Sequence, residues 1–241
     1  MTELLYQIDS YLKNFEAKIV KVEEDFIILD RTAFSPTGGG LICDTGTLTT
    51  EKGDEYQVID VSSKGGLVKH KVVPIPDNKI INMNVSGIID WEKRYKQMRM
   101  HTTVHIISSI LHRKYGTTVT GGNITPEKSR VDFDIDHLRQ ERVQEIETAM
   151  KQIIEEDHKV SVSFMEREEA LKDPDLIRTK VNLIPETVKI LRIVTIEDVD
   201  RQADGGVHVR STKEIGIFIP LKTENRGKDK KRLYFSLNSQ I

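Results

Sequence analysis

Two histidines four positions apart, His101-Thr-Thr-Val-His105, stand inside a stretch that reads as a long buried helix. On a helix, positions i and i+4 lie within roughly 40° of one another, so both imidazoles can reach one metal ion. About a hundred residues later the chain runs Gln202-Ala-Asp204-Gly-Gly-Val-His208. The glycines Gly205 and Gly206 permit a tight turn that can bring Asp204 and His208 to one point. Three imidazoles and a carboxylate are a donor set that suits tetrahedral zinc. Taken alone, the helix pair is a weak signal and is more simply read as histidines hydrogen-bonded inside a core; the second half is what favours a metal. His112 lies two turns too far along the helix to join, and His70, His137 and His158 are expected in exposed contexts. No His-Glu-x-x-His motif supplies a general base beside the site.

The elements that must hold these residues can be read from periodicity. Residues 1–15 are expected to start as a short helix or strand, and 18–30 as a hairpin around Glu23-Glu24-Asp25. A Gly-rich loop follows, Thr32-Ala-Phe-Ser-Pro-Thr-Gly38-Gly39-Gly40, and without further information this is simply a turn between strands. Segments 45–50, 55–62, 66–73 and 80–90 are β-biased. Residues 1–89 are therefore expected to form a small β-barrel-like domain. The composition shifts at Asp90. A helix is predicted from Trp91 to about Tyr115, ending at Gly116, with an apolar circumference that argues for burial between layers. Strands are expected over 117–135 around a Thr120-Gly-Gly-Asn123 turn. Next comes a helix capped by Asp136 and running to about Asp157, with Val143, Ile146, Met150 and Ile153 facing the core. Strands over 159–165, 188–196 and 214–221, with a short helix at 167–172, complete residues 90–241 as a second, α+β domain. Its helices pack on a mainly antiparallel sheet.

The 241 residues carry 37% hydrophobic and 31% charged residues with a net charge of −2, which describes a soluble globular protein and does not advertise a nucleic-acid binder. Charge is unevenly spread, however. Lys222 to Arg232 holds six cations against two acids, and Lys93, Arg94, Lys96 and Arg99 form a second group. Such runs are as readily solvated faces as RNA contacts. The single Cys43 excludes an internal disulfide and lies in the Gly-rich segment, outside the metal set. No apolar run approaches the ~20 residues of a membrane helix. The acidic, amphipathic N-terminus lacks signal-peptide features, so a cytoplasmic location is expected.

Several ordered motifs together resemble the AlaX family of freestanding alanyl-tRNA editing proteins, which is related to the editing domain of alanyl-tRNA synthetase. They are Thr32 to Gly40 with Asp44-Thr-Gly46, Asp90-Trp-Glu-Lys-Arg94 leading into His101 and His105, Asp200 to His208 followed by Thr212-x-Glu-Ile-Gly216, and Gly227 to Arg232. The match covers essentially the whole length and points to the medium-sized type. The resemblance implies an ATP-independent hydrolase that removes the wrong amino acid from mischarged tRNA(Ala). Serine would be the main target and glycine a further one, with Ala-tRNA(Ala) spared. It implies one zinc ion per chain held by His101, His105, Asp204 and His208, with Asp204 either a ligand itself or a hydrogen-bond partner outside a three-histidine shell that leaves one position open; no obligate protein partner is inferred. Zinc would lower the pKa of a bound water to about 7 or anchor the substrate amino group. The implied substrate-binding residues are Thr32, Gly38, Gly39, Gly40, Gln202, Gly205 and Gly206, with Thr32 meeting a serine hydroxyl. The implied tRNA contacts are Arg99, Arg210, Lys228 and Arg232. Three departures stand out: Asp204 replaces the family's usual cysteine, Val207 its threonine and Leu41 its glutamine. They leave room for a deacylase of another aminoacyl-tRNA, or for a catalytically inactive, metal-stabilised RNA-binding protein.

Overall fold

The computed structural model describes residues 1–177 and 188–238. The chain folds as two units, Met1–Tyr95 and Lys96–Ile241.

The first unit is a closed six-stranded antiparallel barrel. Its strands are β1 (Asn14–Glu23), β2 (Phe26–Leu29), β3 (Gly46–Thr50), β4 (Glu55–Lys64), β5 (Leu67–Val73) and β6 (Asn84–Ile89), paired in the order β1-β2-β5-β4-β3-β6. Alternation builds it. In β1, Phe15, Ala17 and Ile19 are buried while Glu16, Lys18 and Val20 face water. The β1–β2 hairpin turns where the acidic run predicted, with Glu24 at φ +54°. Strand β6 carries Gly87 because a Cβ there would lie 2.2 Å from the Phe15 ring.

Inside the barrel the structure corrects one expectation. His70 is fully buried, not exposed. Its Nδ1–H donates to the Ile27 carbonyl (3.0 Å), and its Nε2 accepts from the Thr32 hydroxyl (2.9 Å), which in turn accepts from Phe34 N–H (3.1 Å). Burial pushes the His70 pKa down to about 4, against the pull of the Ile27 carbonyl. The unfolded chain therefore takes up a proton below about pH 6.5 that the folded chain refuses until about pH 4. Stability is lost as pH falls through that window, by ~3 kcal/mol in total at the ~1.4 kcal/mol carried by each pK unit. Replacing His70 by Gln should flatten the acid limb of a urea-unfolding series between pH 7 and 4, relative to wild type.

The second unit begins within α1 (Trp91–Tyr115), and every residue from Gln97 to Ser109 is buried, as its apolar circumference predicted. Thr102 and Thr103 satisfy their buried hydroxyls by donating to the carbonyls of Met98 and Arg99. The helix ends at Gly116, which takes φ +65° and donates to the His112 carbonyl. There are two antiparallel sheets rather than one. The first contains β7 (Val119–Asn123), β8 (Ser129–Phe133), β12 (Ile217–Asn225) and β13 (Lys231–Asn238), in the order β12-β13-β8-β7. The second contains β9 (Val160–Glu166), β10 (Ile190–Ile196) and β11 (Asp200–Ala203), in that order. Gly121 and Gly122 lie within β7, paired with Asp132 and Val131, so the turn falls later, where Thr125 donates to the Lys128 carbonyl. Helix α2 spans Gln140–Glu156, and its N-cap is Arg139, not Asp136. The Asp136 carboxylate instead binds Arg142 (2.7 Å). Ile146, Met150 and Ile154 are its buried face. Among the described residues no helix is long and apolar enough to cross a membrane.

Candidate metal centre

Helix α1 presents His101 and His105 on one face, with ring centroids 5.0 Å apart. The segment after β11 brings His208 against both, at 4.2 Å from His101 and 4.6 Å from His105. Asp204 closes the group. Its Oδ1 is 3.1 Å from His208 Nε2, and its Oδ2 is 3.7 Å from His101 Nε2 and 4.0 Å from His105 Nε2. One donor atom from each of the four residues lies within 4.8 Å of the others. The turn that allows this is closed by Asp204 itself, whose Oδ1 accepts the Gly206 N–H at 2.7 Å. Arg192 of β10 steadies it by donating to the Asp204 carbonyl (2.9 Å), while Asp204 N–H donates to the Arg192 carbonyl (3.0 Å).

The outer nitrogens of the three rings decide what the inner ones can do. His101 Nδ1 faces the Val207 carbonyl (3.3 Å), His105 Nδ1 the buried Asp200 carboxylate (3.1 Å), and His208 Nδ1 the Thr102 hydroxyl (3.1 Å). The Thr102 proton is committed to the Met98 carbonyl, so its oxygen accepts from His208. All three Nδ1 positions thus carry a proton, and all three Nε2 lone pairs point inward at a carboxylate. Four inward-facing acceptors repel one another unless a cation lies among them. A tetrahedral zinc site with bonds of ~2.0–2.2 Å places its ligand atoms ~3.3–3.6 Å apart. The 3.1–4.0 Å spacings to Asp204 bracket that value. The donor set fits the ion.

Burial pushes His101 down to about 4, against the pull of the Asp204 charge, and holds His208 well below its ordinary value, with His101 adding to the effect. His105 runs the other way: burial depresses it, but the Asp200 hydrogen bond and the two carboxylates outweigh burial and raise it. Burial alone would raise Asp204, yet the surrounding histidines hold it well below the usual carboxylate range. The site therefore offers an ionised carboxylate at neutral pH.

Asp200, Thr102 and the Val207 carbonyl are partners that the sequence reading does not single out. Asp200 carries a usable signal: Asp200 and Gln202 are two apart on a strand and so share a face. Gln202 donates to the Asp200 carboxylate at 2.7 Å. Replacing Asp200 by Asn would turn a strong acceptor into a weak one and free the His105 ring. Metal affinity should fall ~10–100-fold, measured by competition with a chromophoric chelator. The Val207 side chain is fully buried, and it is its carbonyl that meets the site.

The remaining sequence candidates are placed as follows. Gly205 is exposed and Gly206 half-buried beside Asp204. In the first unit, Gly38 and Leu41 bond to each other across a two-residue turn in which Gly39 and Gly40 take φ +59° and +89°. Only residues free to adopt positive φ fit that turn. Arg99 is buried, with its guanidinium on the carbonyls of Ile215 and Asn238. Arg94 is buried too, so the expected basic stripe near 91–100 is not a surface stripe. Arg210 and Lys228 are exposed, and Arg232 makes a two-point bond to Asp132.

Residues 191–234 match the threonyl and alanyl tRNA synthetase second additional domain, and residues 5–93 match the class II (A) tRNA synthetases. An alanyl-tRNA editing protein AlaX-M of Saccharolobus solfataricus is 43% identical over 240 residues, covering 98% of this chain and 99% of that protein. Its counterpart in Methanosarcina acetivorans is 38% identical over 244 residues, at 98% and 99% coverage. An alanine–tRNA ligase of Methanococcus vannielii is 36% identical over 238 residues, 98% of this chain but 26% of the ligase. Identity of this extent along the whole chain places it in the AlaX-M family of alanyl-tRNA editing proteins.

Proposed function

We propose that the chain is a trans-editing hydrolase that cleaves the ester between a wrong amino acid, chiefly serine, and the 3′ end of tRNA(Ala), sparing alanine. The observation that carries this reading is the convergence of the His101, His105 and His208 Nε2 atoms on Asp204, in a chain related end to end to alanyl-tRNA editing proteins. His101, His105, Asp204 and His208 would hold the ion, which we take to be zinc. When bound, zinc supplies a Lewis acid for the ester carbonyl and acidifies a water. The protein's own contribution is positioning. Asp200, Thr102 and the Val207 carbonyl fix the three ring orientations, and Arg192 fixes the carboxylate. The Gly206 N–H is committed to Asp204 and is not a donor for the ester carbonyl. We assign carbonyl or phosphate binding, as separate candidates, to the Gly38–Gly40 turn of the first unit or to the Gly205 side of the turn in the second unit, with Gln202 flanking the latter. Arg210, Lys228 and Arg232 are the proposed tRNA contacts. Arg99, with its guanidinium on the carbonyls of Ile215 and Asn238, has a structural task instead.

The deciding experiment is deacylation of Ser-, Gly- and Ala-tRNA(Ala) in parallel, with chelator and with zinc added back. Chelator-sensitive release of serine that spares alanine is expected. Release from none of the three by metal-loaded protein would overturn the reading and leave a metal-stabilised RNA-binding protein. Release from another aminoacyl-tRNA alone would redirect it. For serine recognition, the Thr32 hydroxyl has one acceptor position beyond its bonds to His70 and Phe34. Thr32→Val should bring the rates for Ser- and Ala-tRNA(Ala) together; undiminished discrimination would leave Thr32 with its barrel role only.

A further inference from the structure

We infer that the solvent face of the sheet β12-β13-β8-β7 is a docking surface for the phosphate backbone of RNA. The inference rests on the reading of a tRNA substrate but concerns a surface distinct from the metal ligands.

The sheet is two-sided by alternation. Ser129, Val131 and Phe133 of β8, with Lys231, Leu233 and Phe235 of β13, are buried on one face. The residues between them occupy the other: Arg130 pairs with Tyr234, and Asp132 with Arg232. On the β12 edge, Lys222 stands opposite Tyr234 and Glu224 opposite Arg232. On the β7 edge, Gly121 stands opposite Asp132, leaving a low floor where a Cβ would come within 3.6 Å of the Asp132 carboxylate. The loops β7–β8 and β12–β13 add Lys128 and Lys230.

The cations are held in place rather than splayed into solvent. Asp132, itself buried, binds Arg232 at 2.6 and 2.9 Å and draws in Lys230 (3.5 Å) and Arg130 (3.9 Å). The Tyr234 ring carries Lys222 at 4.6 Å and Lys128 at 5.0 Å from its centroid. Counting this face and its two loops whole, seven cations (Lys128, Arg130, Lys222, Arg226, Lys228, Lys230 and Arg232) stand against four carboxylates (Glu127, Asp132, Glu224 and Asp229), a surplus of three positive charges in a chain whose net charge is −2. A carboxylate that neutralises one of three converging cations orders the others without cancelling them. Ordered cations in excess on a shallow, strand-based surface match a polyanion with regularly spaced charges.

The test is equilibrium binding of non-acylated tRNA(Ala) by fluorescence anisotropy from 50 to 300 mM KCl. Wild type is compared with Lys128→Ala/Arg130→Ala/Lys230→Ala and with a control triple of exposed barrel and α2 lysines, Lys52→Ala/Lys64→Ala/Lys151→Ala. Each phosphate contact contributes roughly 0.7–0.9 to the slope of log affinity against log salt, so the sheet variant should lose about 2 to 3 units of slope. Its affinity at 100 mM should fall at least ~10-fold, with its melting temperature unchanged and the control close to wild type. An unchanged slope, an equal loss in the control, or no tRNA binding by wild type would each overturn the inference. Non-acylated tRNA has no ester, so this outcome is independent of hydrolysis. Editing with an unchanged slope refutes the surface, whereas a reduced slope without editing refutes the enzyme and keeps the surface.

Discussion

Asp204→Ala should strip the centre. The three imidazoles would remain, each still held by its outer partner, but the carboxylate that faces their Nε2 atoms would be gone. Zinc affinity should fall by more than ~100-fold, beyond what loss of an outer hydrogen bond costs. Metal content by atomic emission, after dialysis against a weak chelator, should drop from one ion per chain to near zero, and any metal-dependent hydrolysis should go with it. A variant that kept full metal and full activity would remove Asp204 from the ligand set. Asp204→Cys makes the complementary case, because a thiolate is softer than a carboxylate. That variant should retain stoichiometric zinc, bind it more selectively over harder divalent ions, and show an intense thiolate-to-metal absorption band when loaded with cobalt. The aspartate then reads as a change of ion selectivity rather than as decay.

Arg94→Ala should destabilise the barrel unit by about 3–5 kcal/mol, the range found when one partner of a buried ion pair is removed. Arg94 and Asp44 are 0% and 1% exposed. Arg94 Nε donates to both Asp44 oxygens (2.9 and 3.1 Å), Nη2 also reaches Asp44, and the remaining donors serve the carbonyls of Ser10 (2.9 Å) and Ala33 (2.5 Å). Alanine would abandon two buried carbonyls and a buried carboxylate, leaving the latter with the Ser35 N–H (2.5 Å). Lysine should fail nearly as badly, since a point charge cannot serve a planar fork of partners. The informative control is the double variant Arg94→Met/Asp44→Leu. It removes both charges and should recover a large part of the loss in urea unfolding. Equal loss in the single and double variants would mean that the two carbonyls, not the ion pair, carry the cost.

Much of the fold is legible in the sequence because burial periodicity is clean. The barrel strands alternate, and α1 reads as buried because it is. The candidate metal cluster is legible because His101 and His105 are four apart and Asp204 and His208 flank a glycine pair. What escapes are residues whose role is set by a partner distant in sequence. His70 looks like an exposed strand histidine, since nothing local announces Thr32 and Ile27 as its partners. Asp136 looks like a helix cap until Arg142 claims its carboxylate. Gly121 and Gly122 read as a turn because the strand residues they pair with, Asp132 and Val131, lie about ten positions further on. Strand β13 is hidden by its own charge: Lys231 sits on the buried face and satisfies its ammonium on the carbonyls of Gly227 and Lys228. A basic run therefore conceals the inward alternation of Leu233 and Phe235.

The outer partners of the histidines also set an order of events. His101 and the Val207 carbonyl that orients it are 106 positions apart. A ribosome adding about 5–20 residues per second therefore exposes the helix pair roughly 5–20 s before the other half exists. During that interval His101 and His105 lack the carboxylate, the third imidazole and the groups that set their tautomers. Two loosely oriented imidazoles hold an ion weakly, so the nascent chain has little grip on whichever abundant metal it meets first. On the proposed metal reading, capture would wait for the closing segment, and the ion would then pin two distant stretches of chain together as a late staple on the finished fold.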